Sequence, residues 1–233
     1  MVTDFKVFVN FKTYPRGTGE KAVELAKAIR EVSQVSGESG IQIIPVVQVV
    51  DVFRVRQAVD IPVWVQHLDF QPQGQFTGWV NLEAIVEAGA SGTLLNHSEH
   101  QIPPGTIKQI LSKIQNTKYK IQDFKAMVCC KTLGQMERLV KLKPDFIGYE
   151  ISELIGGKVS IVDYNITAIK HALEICGKIP LIIGAGIHKG EDLQKARQLG
   201  SAGVLISSAI VLADNPKQKL EEILKLVASA QEV

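Results

Sequence analysis

Short runs rich in valine and isoleucine return about every thirty residues along this chain, each followed by a longer stretch with helical spacing and mixed charge. A strand joined through a helix to a parallel neighbour is a βαβ unit, and many such units in series leave a closed barrel or an open doubly wound sheet. Strands are predicted near Phe5 to Phe11, Ile41 to Val46, Pro62 to Gln66, Gly92 to Leu95, Phe124 to Cys129, Asp145 to Tyr149, Ile179 to Ile183 and Gly203 to Ile206, eight in all. Glu20 to Val35 carries Val23, Ala26, Ile29 and Val32 on one face and Lys21, Glu24, Lys27 and Arg30 on the other, a one-sided helix with a solvated polar face. Asn215-Pro216 supplies a cap and a proline for the first turn of a closing helix, continued by Leu220, Ile223, Leu224 and Val227. No linker or shift in composition divides the 233 residues. Eight units favour an α/β fold with a single (β/α)8 barrel of eight parallel strands over residues 1–233, although periodicity alone does not separate it from the doubly wound sheet.

Composition narrows the function classes. The hydrophobic content is 45% with only 6% aromatic residues, which points to an aliphatic core of the kind parallel sheets have. Twenty-six basic and 24 acidic side chains are spread along the chain for a formal charge of +2, so the one-sided basic field of a nucleic-acid binder is missing. Met1-Val2-Thr3-Asp4-Phe5-Lys6 has no basic region before a long apolar stretch, and no segment approaches the roughly 18 apolar residues of a membrane span. A soluble, unprocessed chain is expected. Cys129, Cys130 and Cys176 are odd in number and lack metal spacing, which favours a reducing cytoplasm and buried, inert thiols.

In a barrel the chemistry gathers at the carboxyl ends of the strands. The first strand ends Asn10-Phe11-Lys12-Thr13-Tyr14-Pro15, with an amide and an ammonium two residues apart and therefore on one side. Taken alone, these read as a turn asparagine and a snorkelling lysine. The fourth ends Leu95-Asn96-His97-Ser98-Glu99-His100. A lone histidine is more often structural, and His97 and His100 have no third ligand at convincing spacing for a metal. After the sixth strand, Glu150 precedes Ile151-Ser152-Glu153-Leu154-Ile155-Gly156-Gly157-Lys158, which is either a base beneath a mobile lid or a surface carboxylate. Gly184-Ala185-Gly186 and Ile206-Ser207-Ser208-Ala209 are small residues whose amides can approach an anion, where barrels often bind phosphate.

Together these segments resemble the triose-phosphate isomerase family, and more narrowly its short archaeal-type branch. The resemblance runs nearly end to end and is carried by Asn10 to Pro15, Thr93 to Glu99, Glu150 to Gly156, and Gly184-Ala185-Gly186 followed by Gly190-Glu191-Asp192. It implies that Glu150 is the base moving the proton, His97 a neutral electrophile, Lys12 the cation beside developing charge, and Asn10 a substrate donor. It further implies phosphate or substrate contacts at Phe11, Ile155, Gly156, Gly184, Gly186, Ser207 and Ser208. The chemistry suits these residue types, since a carboxylate can take a proton alpha to a carbonyl only if the enediolate oxygens are stabilised as charge develops. The use of a neutral histidine beside a glutamate base in this enzyme is an established example of acid–base tuning. The resemblance implies no cofactor and no metal.

The family pattern is not followed everywhere. The archaeal-type lid usually begins with two prolines and ends Gly-Thr-Gly, whereas this one begins Ile151-Ser152 and ends Gly156-Gly157-Lys158; His100-Gln101 stand where two arginines are common. A more mobile lid is expected, because proline restricts loop entropy. Gln71 to Gly78 matches the loop that in the family enters a neighbouring subunit beside the lysine, with Phe76-Thr77-Gly78 at its tip. A homo-oligomer is implied, a tetramer in preference to a dimer. The expected partners are triose phosphates, with no nucleic acid and no membrane. Two other readings explain part of the pattern: a different phosphate-binding sugar-phosphate isomerase barrel, or a non-catalytic barrel that retains phosphate binding.

Overall fold

The computed structural model describes residues 5–36, 40–116, 123–151 and 160–228. Its strands are β1 (Phe5–Asn10), β2 (Ile41–Val47), β3 (Trp64–Val65), β4 (Gly92–Leu95), β5 (Lys125–Cys130), β6 (Phe146–Tyr149), β7 (Leu181–Gly184) and β8 (Gly203–Ile206). Every neighbouring pair is parallel, and β1 pairs with both β2 and β8, so the sheet closes into a barrel rather than an open doubly wound sheet. The helices are α1 (Glu20–Ser36), α2 (Val52–Ala58), α3 (Leu82–Glu87), α4 (Pro104–Asn116), α5 (Leu133–Leu139), α6 (Ile161–Tyr164), α7 (Ile166–Cys176), α8 (Gly190–Gln198), α9 (Ser208–Val211) and α10 (Pro216–Ala228). Among the described residues, no helix is long and apolar enough to cross a membrane.

All eight expected strands occur; most match to within a single residue at an end, and the two that begin two residues late, β3 and β7, do so because of proline. Pro62 has no N–H to donate and Pro180 has none at the start of β7, so regular pairing begins later than the apolar runs do. The Pro180 carbonyl still accepts from Ile147 N at 3.1 Å, and Gln66 N extends the β3 ladder to Val47 O at 3.0 Å. The two terminal helices behave as their spacing requires. Val23, Ala26, Ile29 and Val32 of α1 are buried, as are Leu220, Ile223, Leu224 and Val227 of α10. Asn215 Oδ1 accepts from Gln218 N at 3.1 Å and caps α10. The polar face of α1 is not merely solvated, since Arg30 Nε pairs with Asp60 at 2.6 Å and Glu31 with Lys217 at 2.6 Å.

Alternation along each strand sorts side chains into two cores. Val7, Val9, Val63, Val65, Ile147, Tyr149, Leu181, Ile183, Val204 and Ile206 pack outward in the layer shared with the helices. Phe8, Ile44, Val46, Trp64, Leu94, Met127, Cys129, Phe146, Ile182 and Leu205 fill the barrel interior. That interior adds aromatic side chains to the aliphatic core that the composition points to. Phe8, Trp64 and Phe146 meet edge to face, with centroids 4.8 Å apart for Phe8–Trp64 and 5.9 Å for the other two pairs. The low aromatic content is concentrated where large volume is needed, on the barrel axis.

Candidate active site

Two residues beyond the apolar interior, the same inward positions turn polar: Phe8 is followed by Asn10, Trp64 by Gln66, and Leu205 by Ser207. On β6 the inward sequence runs Phe146, Gly148, Glu150. At these four strands the carboxyl mouth is thus built by continuing one pleat past the packed core.

At the end of β1 the chain enters a left-handed turn, with Lys12 at φ 48°. Two amides hold that turn. Asn10 Oδ1 accepts from Lys12 N at 3.0 Å and from Gln66 Nε2 at 3.2 Å, while Gln66 Nε2 also donates to Lys12 O at 3.0 Å. With its oxygen occupied inside the protein, Asn10 has its NH2 group left to donate into the mouth. Lys12 Nζ extends to Glu99 Oε1 at 2.6 Å, although Glu99 is 54% exposed and the pair is open to solvent screening.

His97 reaches the mouth through an irregular step. Alternation from Leu94 would turn Asn96 inward and His97 outward, but Asn96 at φ 58° breaks the strand and swings the next residue round. Asn96 is secured by Nδ2 donating to Cys129 O at 2.8 Å and Oδ1 accepting from Ile102 N at 3.0 Å. His97 Nδ1 accepts from Glu99 N at 3.2 Å, which requires a lone pair there and puts the proton of the neutral ring on Nε2. That nitrogen lies 3.0 Å from Glu150 Oε2. The approach is close but poorly directed, leaving this shielded oxygen without a proper hydrogen bond. Burial opposes charging of the His97 ring, but the close approach and charge of the Glu150 carboxylate, with Glu99, outweigh it and raise the pKa. The Glu99 amide works against that rise, because a protonated Nδ1 could not accept from it.

Glu150 is only 6% exposed, with its backbone N bonded to Cys130 O at 3.0 Å. Asn10, Lys12, Tyr14, His97 and Glu150 line one cavity together with Ala185, Gly186, Ile187, His188, Leu205, Ile206, Ser207 and Ser208. Glu150 Oε2, Ser98 Oγ and Ser207 Oγ are buried polar atoms without a hydrogen-bond partner, and all belong to the segments that rim it.

Seven of the residues singled out in the sequence therefore converge: Asn10, Lys12, His97, Glu150, Gly186, Ser207 and Ser208. Phe11 does not join them. Its ring is fully buried in the layer beneath the helices, because alternation points it outward between Asn10 and Lys12. Gly184 lies against Glu150 rather than among the cavity-lining residues. Ile155 and Gly156, with the lid terminus Lys158, lie outside the described residues. Gln66, Asn96 and Glu99 were not singled out. Gln66 was legible as a polar residue two places after an inward tryptophan, whereas the role of Asn96 depends on a backbone angle that spacing does not encode.

A second recess of about 520 Å³ adjoins the first, lined by Lys12, Thr13, Tyr14, Gln66, His67, Glu99 and His100 among others. The rings of His67 and His100 stand 4.4 Å apart, and His67 Nε2 is 3.1 Å from Asp69 Oδ1. Asp69 also closes the base of the long connection after β3, accepting from Val80 N at 2.9 Å and donating its own N to Val80 O at 2.7 Å. Beyond that closure Phe76 is 43% and Trp79 51% exposed. Among the described residues, no group of three or more His, Cys, Asp or Glu side chains is arranged to hold a metal ion.

A closed parallel barrel with a carboxylate, an imidazole and an ammonium meeting at its carboxyl end is the architecture of a (β/α)8-barrel enzyme equipped for acid–base chemistry. Comparison with known proteins makes the class specific. The family model described as triosephosphate isomerase matches residues 5–228. The triosephosphate isomerase of Methanosarcina acetivorans is 39% identical over 225 residues, covering 95% of this chain and 98% of its own. That of Methanothermus fervidus is 37% identical over 225 residues (94% and 96%), and that of Methanocaldococcus jannaschii 34% over 228 residues (95% and 99%). The chain belongs to the triosephosphate isomerase family, and is an isomerase.

Proposed function

We propose that this chain interconverts dihydroxyacetone phosphate and D-glyceraldehyde 3-phosphate by proton transfer through an enediolate, without a cofactor. The observation that carries the reading is the convergence of Glu150 and His97 beside Asn10 and Lys12, with buried polar capacity left unspent around them. The Glu150 carboxylate takes the proton from C1 of the ketose and returns it to C2. The electron pair released from the C–H bond moves onto the carbonyl oxygen, where Nε2–H of His97, the Asn10 amide and the Lys12 ammonium stabilise it. Substrate must part the Glu150–His97 contact, the carboxylate then facing carbon and the ring facing oxygen. Away from Glu150, the Glu99 N–H on Nδ1 favours the neutral ring.

The backbone amides of Gly186, Ser207 and Ser208 cradle the phosphate, with Ile155 and Gly156 closing over it from the lid. Binding energy from this remote group orients the reacting carbons and excludes water. The reading carries with it a single catalytic domain over residues 1–233, a cytoplasmic location, and a place in glycolysis and gluconeogenesis. A coupled assay with dihydroxyacetone phosphate tests it directly, and absence of turnover in pure, folded protein would end it.

The partner of the second recess is a second copy of the chain. The connection containing Phe76 and Thr77 enters the neighbour's recess beside Lys12, burying an aromatic ring worth roughly 1.5–3 kcal/mol, and two such dimers form a tetramer. Replacing Gln71 to Gly78 by a short Gly-Ser turn should give monomers whose activity falls far more than their helical content. A fully active monomer by light scattering at assay concentration would refute the interlocking loops and leave the isomerase reading intact.

A further inference from the structure

Glycines at inward strand positions make room for a neighbour's side chain. A Cβ at Gly92 would run into the Trp64 indole, and one at Gly148 would meet Met127 Sδ at 3.0 Å and Cys129 Sγ at 3.1 Å. In both cases the freed volume serves the packed interior. Gly184 is the third such position, one pleat above Ile182 on β7, and the group that fills its space is Glu150. A Cβ there would stand 2.5 Å from Glu150 Cγ, 2.7 Å from Oε1 and 2.9 Å from Cδ, all well inside van der Waals contact.

Backbone conformation does not explain this glycine. Gly184 is absent from the left-handed residues, unlike Gly186 at φ 67°, and it sits in regular parallel register opposite Leu205. Any residue could adopt that backbone; what is excluded is side-chain volume. Nor can Glu150 give way without consequence. Its main chain is tied to Cys130 O at 3.0 Å, and on the far side of the carboxylate His97 Nε2 stands 3.0 Å away. The carboxylate is held between the Gly184 Cα and the imidazole.

We infer that Gly184 is a positioning residue for the reaction: its missing side chain is the seat of the Glu150 carboxylate, and phosphate contact is not what requires glycine there. The inference rests on the reading of Glu150 as the base. Gly184→Ala separates the two roles, because alanine retains the backbone N–H and changes only the volume beneath Glu150. A misplacement of about 1 Å at a reacting group typically costs about 10²-fold in rate. The expected result is therefore a kcat lower by about 10²-fold, with KM and competitive inhibition by inorganic phosphate unchanged. A weaker phosphate inhibition constant with intact kcat would overturn the inference in favour of a phosphate ligand. Full activity in Gly184→Ala, beside an inactive Glu150→Gln, would overturn the positioning role alone. Near-normal turnover in Glu150→Gln would instead remove the base reading on which it rests.

Stability gives a readout that survives an inactive or weakened variant. In a Glu150→Ala background the seat is vacated, so the drop in unfolding midpoint caused by Gly184→Ala should largely vanish. An equal drop in both backgrounds would mean that the alanine clashes with something other than Glu150, and the inference would be wrong.

Discussion

The interior belt and the mouth of this barrel are made by the same strands, one pleat apart, yet they are organised by opposite rules. In the belt Phe8, Trp64 and Phe146 interlock with aliphatic neighbours, and each side chain is fixed by volume. In the mouth Asn10, Lys12, His97 and Glu150 are placed by hydrogen bonds and charge contacts rather than by volume alone, with several polar atoms left unsatisfied. Packing tolerates little change in volume but does not depend on protonation. A polar cluster reads small changes of angle and charge, and buried groups without partners cost stability in exchange for reactivity. Stability and chemistry therefore occupy adjacent layers of one structure and should be separable by substitution.

The sharpest separation is expected from Glu150→Gln, which retains shape and removes the base. Turnover should fall by about 10²–10⁴-fold with the unfolding midpoint little changed. His97→Gln should lose less, at the low end of the roughly 10²–10³ expected for removal of one preorganised donor, because an amide can still donate. Equal losses in the two variants would blur the distinction between base and electrophile.

Trp64→Ala inverts the experiment. Deleting the indole from the belt should cost about 3–5 kcal/mol in chemical denaturation, while kcat of the molecules that remain folded stays within a few-fold of its original value. If the aromatic trio also tunes the mouth, kcat will collapse with stability, and the two layers are not independent.

Gln66→Met tests the joint between them, since this residue leaves the belt at Trp64 and enters the mouth through its amide. Loss of the donors to Asn10 Oδ1 and Lys12 O should reduce kcat/KM by roughly tenfold, consistent with about 1.5 kcal/mol for losing hydrogen bonds. In a Lys12→Met background the same change should add little. Additive losses would show that Gln66 does not act through the lysine turn.

The smallest effect concerns His67 at the edge of the second recess. Burial lowers its pKa below the ordinary value near 6.5, partly offset by the Asp69 hydrogen bond and reinforced by the charge of His100. A lowered histidine value means that the unfolded chain binds the proton more readily than the folded one. The stabilising contribution is thus present above the unfolded value and is lost as pH falls through the folded one. His67→Gln should flatten the decline of stability below about pH 6.5, as followed by denaturant midpoints across pH. An unchanged slope would assign the acid sensitivity to other groups.

The belt was largely legible in the amino-acid sequence because alternation is a local rule, and the eight apolar runs sit where strands form. The mouth was legible only where residue type and strand end coincide, as at Asn10, Lys12 and Glu150. Phe11 was named through the resemblance alone, and alternation turns its ring outward, away from the cavity. His97 was assigned to the mouth without a local reason; that reason is the left-handed Asn96, whose side chain bonds to Cys129 and Ile102. Gly184 reads in the sequence as a small residue whose amide can approach an anion, because sequence does not reveal which neighbour fills a missing side chain. Contacts between strands far apart in the sequence, such as Gln66 with Lys12 or Gly184 with Glu150, are not encoded by the spacing within any one strand.

Among the described residues, five non-glycine positions hold left-handed backbone, and three of them, Lys12, Asn96 and Ala185, stand on the rim of the mouth. The other two, Asp123 and Lys143, lie in the turns that lead into β5 and β6 at the opposite end of the barrel. Such a conformation disfavours an ordinary residue by roughly 1–2 kcal/mol. Mutational drift consequently meets an uneven terrain along the barrel axis. At positions 123 and 143 a change to glycine can relax the backbone far from any reacting atom, and a search for greater heat resistance has open ground there. At 12, 96 and 185 the same relaxation would loosen the frame that aims the side chains around it. Substitutions that relax the backbone are therefore expected to be tolerated better at the bottom of the barrel than at its rim.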